Sequence, residues 1–408
     1  MNWGKLVGAG ILVTGILVAQ SSTKLTGLWD GTIQYGDYKI PFEFELNQKG
    51  QDVAASFFNG DDRVTSTAGR ITGNFLTVDF DHYATHLNAT VSNGAVKGSY
   101  GGKRGGMHDL QATPHIATAD SKEKAPIIAG VWDLPTESPK GEHAWQLIVR
   151  QNGNAAQAAI LRVDGDTGEL TGRYANGRFI LTHFDGARAS VLEITPKLDN
   201  TLDVALIGFH NPTKHFSAVK LDQAKADGLP LPDNPDEHTR MRDWNEPLRF
   251  SFPDLSGKIV SNTDEQFRDK VVIVAISGSW CPNCHDEAPY LAELYRKYHA
   301  RGLEIVTLDF EEPEQLKDPQ RLQAFIRKYQ IPYTYLLAGD PSELNAKIPQ
   351  ADNLNSWPTT FFLGLDGRVR AIHAGFAAPA SGPFHTALRN ETDERIERLL
   401  QETTTASR

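Results

Sequence analysis

Cys281 and Cys284 are the only two cysteines among 408 residues, and they stand at C-x-x-C spacing. A pair this close cannot tie distant parts of a core together, so its chemistry is thiol exchange, metal binding or a local disulfide rather than a stapled scaffold. Trp280-Cys281-Pro282-Asn283-Cys284 follows a continuous apolar run, Val271 to Ile276. It opens a segment from Asn283 to about His299 in which Ala288, Leu291, Leu294, Tyr295 and Tyr298 recur at three and four. The first reads as a strand buried on both faces and the second as a helix. A thiol at such a helix start meets unpaired backbone N–H groups and the positive end of the dipole, which favour the thiolate. Cys281 is therefore the expected nucleophile, and Cys284, one turn on, the sulfur that resolves a mixed disulfide. Glu287 lies a further turn along, near a low-dielectric wall. It is expected to have a raised pKa and to pass protons to or from the pair, against the alternative of a solvated surface carboxylate.

Other readings of the pair stand beside this one. Cys281 to His285 also spells C-x-x-C-H, the attachment pattern of c-type haem, although no methionine follows it and the surrounding pattern is a mixed sheet. Zinc or copper would need a second C-x-x-C or a paired histidine motif, which is missing. An inert structural disulfide is the third alternative. The expectation is no cofactor and no metal.

The elements that must hold the motif alternate in kind. Strands are expected at Leu303 to Phe310 and Thr334 to Ala338, a helix at Pro319 to Tyr329, and a hairpin of Thr359 to Leu365 with Val369 to His373 around Asp366-Gly367. A closing helix is expected near Thr392 to Gln401. This is an α/β unit, a central mixed sheet flanked by helices. The chain before it is different. Ile40, Phe42, Phe44 and Leu46 alternate with polar residues, Trp145 to Arg150 repeats the habit, and Asn93-Gly94 and Asn176-Gly177 punctuate as hairpin turns do. An all-β antiparallel sandwich or barrel region follows. Gly27-Leu28-Trp29-Asp30 recurs as Gly130-Val131-Trp132-Asp133, and Gly73 to Asp81 recurs approximately as Gly177 to Asp185, so two repeats are expected. His82 and His86, four apart on a strand pattern, do not converge on a metal. The divisions predicted are 1–22 as signal peptide or membrane anchor, 25–114 and 127–222 as β-rich repeats, 223–246 as a stiff proline-rich linker, and 247–402 as the α/β domain.

Lys270 to Leu291, followed by Trp357-Pro358-Thr359-Thr360-Phe361-Phe362-Leu363 and Asp366-Gly367-Arg368, resembles the thioredoxin-like proteins of the TlpA/ResA type over about residues 245 to 402. The resemblance implies a thioredoxin-like domain and an exported thiol-disulfide oxidoreductase, often tethered to the membrane, that reduces substrate disulfides, in some members those of an apocytochrome c. By position it implies attack by Cys281, resolution by Cys284, an acidic partner at Glu287 and a cis-proline at Pro358. Trp280, Trp357, Pro358 and Thr359 would then shape the substrate groove. Two features depart from the pattern. Ala275 stands where thioredoxins keep a buried Asp and many TlpA-like proteins an Asn, so proton relay to Cys284 falls to Glu287 or water. Pro282-Asn283 is not the usual dipeptide, and that pair influences redox poise in related proteins, which leaves direction open between reductant and oxidant, with reduction favoured. Peroxiredoxins share the fold, but Val274 and Gly278 occupy the Pro and Thr places of their Pro-x-x-x-Thr-x-x-Cys pattern.

A net charge of -10 gives no general attraction to phosphate backbones, so nucleic acid is excluded as a partner class. Met1 to Lys5, the apolar run Leu6 to Ala19 and Gln20-Ser21-Ser22 read as a secretory signal, cleaved after Ala19 rather than retained as an anchor. The expected partners are protein disulfides or dithiols, a membrane thiol donor and an unidentified ligand of the β repeats. The setting is periplasmic redox homeostasis or cytochrome c maturation. The rival from another class is a binding or assembly protein whose cysteine pair is non-catalytic.

Overall fold

Ile40, Phe42, Phe44 and Leu46 all point inward from one strand, Tyr38–Lys49, as their alternation requires. The computed structural model describes Met1 and residues 25–117, 123–208 and 212–402. The apolar run Leu6 to Ala19 lies outside them. Among the described residues no helix is long and apolar enough to cross a membrane.

The first all-β sheet has nine strands between Gly27 and Pro114 and curls into a barrel, because Asp52–Asn59 pairs both with Tyr38–Lys49 and with Ala68–Thr72. The second, Gly130 to Lys220, has nine strands in the corresponding order, closed by the pairing of Ala155–Arg162 with Ala144–Asn152 and Leu170–Ala175. The same tryptophan seats both. The Trp29 indole donates to the Leu25 carbonyl and the Trp132 indole to the Ile128 carbonyl, each at 2.8 Å. Asn93-Gly94 and Asn176-Gly177 turn their hairpins with both residues at positive φ, which the right-handed twist of the flanking strands demands. The barrels pack on each other through Phe184, whose ring centre lies 4.4 Å from that of Phe42 and 4.8 Å from that of Phe57.

In the C-terminal unit the strand Val271–Ser277 is central and wholly buried. Its odd residues Val271, Ile273 and Ala275 face a core with Leu291, Leu294 and Ile396. Its even residues Val272, Val274 and Ile276 face another with Leu248, Phe250 and Leu308. Helices and loops therefore cover both sides, which is why the run is apolar throughout rather than alternating. The five-stranded sheet runs Thr334–Gly339, Leu303–Phe310, Val271–Ser277, Thr359–Leu363, Val369–Ala374, with the first three parallel and the last two antiparallel to their neighbours. This is a thioredoxin-like arrangement.

Two expectations about elements need correction. The closing helix spans Pro383–Leu400, starting nine residues before Thr392. Proline is accommodated at the first helical position, where its missing N–H would be unpaired in any case, and the buried stripe Leu388, Thr392, Ile396 and Leu399 keeps the spacing four, four, three. The stretch 223–246 is not a free linker. It includes most of the helix Leu221–Asp227, turns through Pro235–His238, and pairs Arg240–Met241 with Ala351–Asp352. Its acidic character is taken up by the C-terminal unit, since Asp236 binds His373 and Arg395, each at 2.7 Å.

Candidate redox site

The central strand ends at Ser277, and Gly278-Ser279-Trp280 turns the chain into the helix Pro282–Tyr298. Cys281 is the N-cap of that helix: its sulfur accepts the Cys284 N–H at 3.3 Å, and Pro282 takes the first helical position. Both sulfurs are free thiols, with Cys281 3% and Cys284 1% exposed. The Cys284 thiol is pushed well above the ordinary range by burial, reinforced by its interaction with Cys281 and by the charge of Glu287. It holds its proton until a base takes it.

A buried carboxyl interacts with it. Glu287 is buried, accepts the Thr360 hydroxyl at 2.8 Å, and has its carboxyl raised to about 8 by burial. Thr360 pairs across the sheet with Ala275, so the carboxyl comes from the helix above while a methyl group occupies the departed position. Below the motif lie acids that the sequence reading passed over. The Ser279 N–H donates to Glu311 at 2.7 Å, and Arg321 joins the Ser279 hydroxyl at 2.7 Å to Glu311 at 2.5 Å and to Glu312. Asp309, fully buried and in register with Ser277, is pushed well above the usual carboxylate range by burial and by Glu311. The signal for them was available: Asp309 lies near the end of the parallel strand Leu303–Phe310 beside the motif strand and Glu311 and Glu312 follow it, and in open α/β sheets sites gather at the carboxyl ends of strands.

The Trp357-Pro358 bond is cis, and the Trp357 carbonyl accepts the Cys281 thiol at 3.6 Å. The Trp357 ring meets Trp280 edge-on at 5.2 Å and Phe310 at 5.7 Å. Trp280 donates to the Phe310 carbonyl at 2.8 Å. Thr359 does not offer a side chain to a groove, because it is fully buried and its hydroxyl donates to the Ser356 carbonyl at 2.8 Å. Trp280, Cys281, Cys284, Glu287, Trp357 and Pro358 thus come together, and Thr359 supports them from within.

Both barrels reach the site. Arg104, on the turn after Ala95–Gly102, stacks on Trp280 at 4.4 Å and pairs with Glu312. A cleft of about 610 Å³ opens there, lined by Tyr35, Tyr83, Tyr100, His108, Trp280 and Pro282. From the second barrel, the Asp164 carbonyl accepts the Asn283 amide at 2.7 Å, and a Cβ on Gly375 would strike the Val163 carbonyl. No side-chain pattern in the sequence could have joined these segments.

The histidine of the C-x-x-C-H spelling is occupied. His285 Nε2 donates to the Ser279 carbonyl at 2.8 Å, Nδ1 pairs with the Tyr329 hydroxyl at 3.0 Å, and burial lowers the ring's pKa to about 3. A haem iron bound through Nε2 would have to displace the buried bond to Ser279, so purified protein should be colourless; a Soret band surviving denaturation would contradict the thiol assignment. His82 is buried against the His285 ring at 6.0 Å with its own pKa lowered to about 2 by burial, and its Nε2 has no hydrogen-bond partner among the described residues. On the first barrel, Asp30, Glu43 and His115 place potential ligand atoms within 4.8 Å of one another. Asp30 is already hydrogen-bonded to His115 at 2.7 Å.

Residues 245–372 match the AhpC/TSA family. The thiol-disulfide oxidoreductase ResA of a Bacillus cereus strain is 27% identical over 165 residues, covering 40% of this chain and 80% of that protein. ResA of Bacillus thuringiensis subsp. konkukian is 29% identical over 130 residues, 32% of this chain and 68% of the relative. Among solved structures, a thiol:disulfide interchange protein of Chlorobium tepidum TLS shares 21% identity with a TM-score of 0.31, covering 38% of this chain and 97% of its own. A DsbF homologue of Corynebacterium diphtheriae shares 19% with a TM-score of 0.30, covering 38% and 92%.

Proposed function

From its C-terminal domain, a ResA-like thioredoxin-fold disulfide oxidoreductase domain, we propose that this chain exchanges disulfides with protein substrates outside the cytoplasm, as a reductant, through Cys281 and Cys284. The observation that carries this reading is the geometry of the pair: Cys281 caps the helix and receives the Cys284 N–H at 3.3 Å, while a buried carboxyl waits at Glu287. The Cys281 thiolate attacks one sulfur of a substrate disulfide, forms a mixed disulfide and expels the other sulfur as a thiolate. Glu287, in its ionised form, takes the Cys284 proton. The Cys284 thiolate then attacks the Cys281 sulfur of the mixed disulfide, closing the Cys281–Cys284 bond and releasing the second substrate thiolate. Two electrons have passed to the substrate, and a dithiol donor returns them.

Trp280, Trp357 and Pro358 border the approach to Cys281, with the Trp357 carbonyl turned toward its sulfur. The two barrels, which share a strand order and a seated tryptophan, are read as copies of one duplicated module. The signal-like run Leu6 to Ala19 supports export, and cytochrome c maturation or general redox homeostasis is the setting proposed.

Turnover and potential test the reading together. The full chain should reduce insulin disulfides with dithiothreitol as donor, and the Cys281/Cys284 couple should lie below about -220 mV. A couple near about -120 mV would make the chain an oxidant, and a pair that never cycles would leave the binding-protein alternative.

A further inference from the structure

The second barrel reaches the dipeptide between the cysteines from both sides. Arg188 leaves a turn that Asp185 organises, for the Asp185 carboxylate accepts the N–H groups of Ala187 and Arg188 at 2.9 and 2.6 Å. The guanidinium then divides its donors. Nε goes to Asp185 at 2.7 Å, and Nη1 goes to Asp286 at 2.9 Å and to the side-chain amide oxygen of Asn283 at 3.3 Å. The other end of the Asn283 amide donates to the Asp164 carbonyl at 2.7 Å. A Cβ on Gly165 would meet the Phe376 carbonyl and the Asn283 side chain, so the barrel's turn is pressed against the motif. Asp166 accepts the Ser381 hydroxyl at 2.6 Å, both residues fully buried. Asp185 is 1%, Arg188 14% and Asp286 15% exposed in their side chains, so these charges are little screened.

We infer that the second barrel is a fixed part of the redox centre and that Arg188, a positioning residue, helps set the reduction potential of the Cys281/Cys284 couple. The inference rests on the disulfide-exchange reading. Reduction adds two electrons and two protons to the disulfide, or two electrons and one proton where Cys281 is left as thiolate. In the one-proton case negative charge appears at the start of the helix, and this is the case in which the charge beside it matters. Arg188 offsets Asp185 and Asp286 there; without it two carboxylates face that helix start, the reduced form is disfavoured and the potential falls. Removing the Asp286 charge while keeping Arg188 acts in the opposite sense.

The test is equilibration of the full chain with glutathione redox buffers, the reduced fraction being read by alkylation and mass. Arg188→Met should move the equilibrium constant about tenfold toward the disulfide, which is about 30 mV for a two-electron couple. Arg188→Lys should fall between it and the wild type, and Asp286→Asn should shift the constant toward the dithiol. The opposed signs are a readout that simple loosening of the interface would not produce. If Arg188→Met does not fold, the other two variants decide. Variants all within twofold of a wild type that cycles normally overturn the role of Arg188 and leave disulfide exchange standing. A wild type that fails to cycle in any buffer overturns disulfide exchange itself, and this inference with it.

Discussion

Cys284→Ser should accumulate covalent mixed disulfides with its substrates, and Cys281→Ser should accumulate none, while each lowers turnover by more than about 10³-fold. The asymmetry comes from where the sulfurs sit. Cys281 caps a 17-residue helix, accepts a backbone N–H through its sulfur, and faces the Trp357 carbonyl at the approach to the site. Cys284 is inside the first turn, 1% exposed and with its thiol pushed up by burial, so it is a poor first attacker. Once Cys281 is joined to a substrate sulfur, only the Cys284 sulfur lies within reach to displace it. Serine there cannot, and the adduct persists. The measurement is capture of adducts on non-reducing gels that dissolve with dithiothreitol. Equal trapping by both variants would reverse or abolish the assignment of roles.

Glu287→Gln should make the protein more stable at pH 8 and slow its resolution step. Burial raises the Glu287 carboxyl from its ordinary 4.5 to about 8 in the folded chain. Between those values the folded state keeps a proton that the unfolded state has released, so wild-type stability falls by about 1.4 kcal/mol for each pH unit of the window. The loss starts as pH rises past the unfolded pKa and is complete once it passes the folded one. Glutamine has no proton to lose and can still accept the Thr360 hydroxyl bond. Its advantage should therefore be absent near pH 4 and reach a few kcal/mol by pH 8, read as a widening gap in Tm. The amide cannot take the Cys284 proton, so mixed disulfides should persist longer and the inflection near pH 8 in the resolution rate should disappear. Parallel Tm curves for wild type and variant across this range would place the carboxyl in solvent and remove it from the mechanism.

Much of the C-terminal unit could be read before any coordinates, and the reasons are local. The strand Leu303–Phe310 has the ends its sequence suggests, and the motif helix begins one residue before Asn283, because periods of two and of three to four belong to neighbouring residues. Where local pattern is weak, element bounds are not legible in the sequence. The helix Pro383–Leu400 hides its first turns behind a proline and a sparse apolar stripe. The segment 223–246 reads as an extended linker only while its partners, His373, Arg395 and Ala351–Asp352, are out of sight.

The same division runs through the site. Residue types and spacing alone determined which sulfurs could react, which of them starts a helix, and that a carboxyl follows one turn later, since all of this lies within a few residues of chain. Tertiary structure alone decided how that chemistry is enclosed and tuned. Thr360 meets Glu287 across 73 residues, Arg104 meets Glu312 across 208, and Arg188 meets Asn283 across 95. Nothing in the sequence around Arg188 distinguishes it from a solvated surface arginine. Its role comes from burial beside Asp185 and Asp286, where a charge must be paired to be tolerated, and pairing of that kind depends on which distant segments the packing of the barrels brings against the helix.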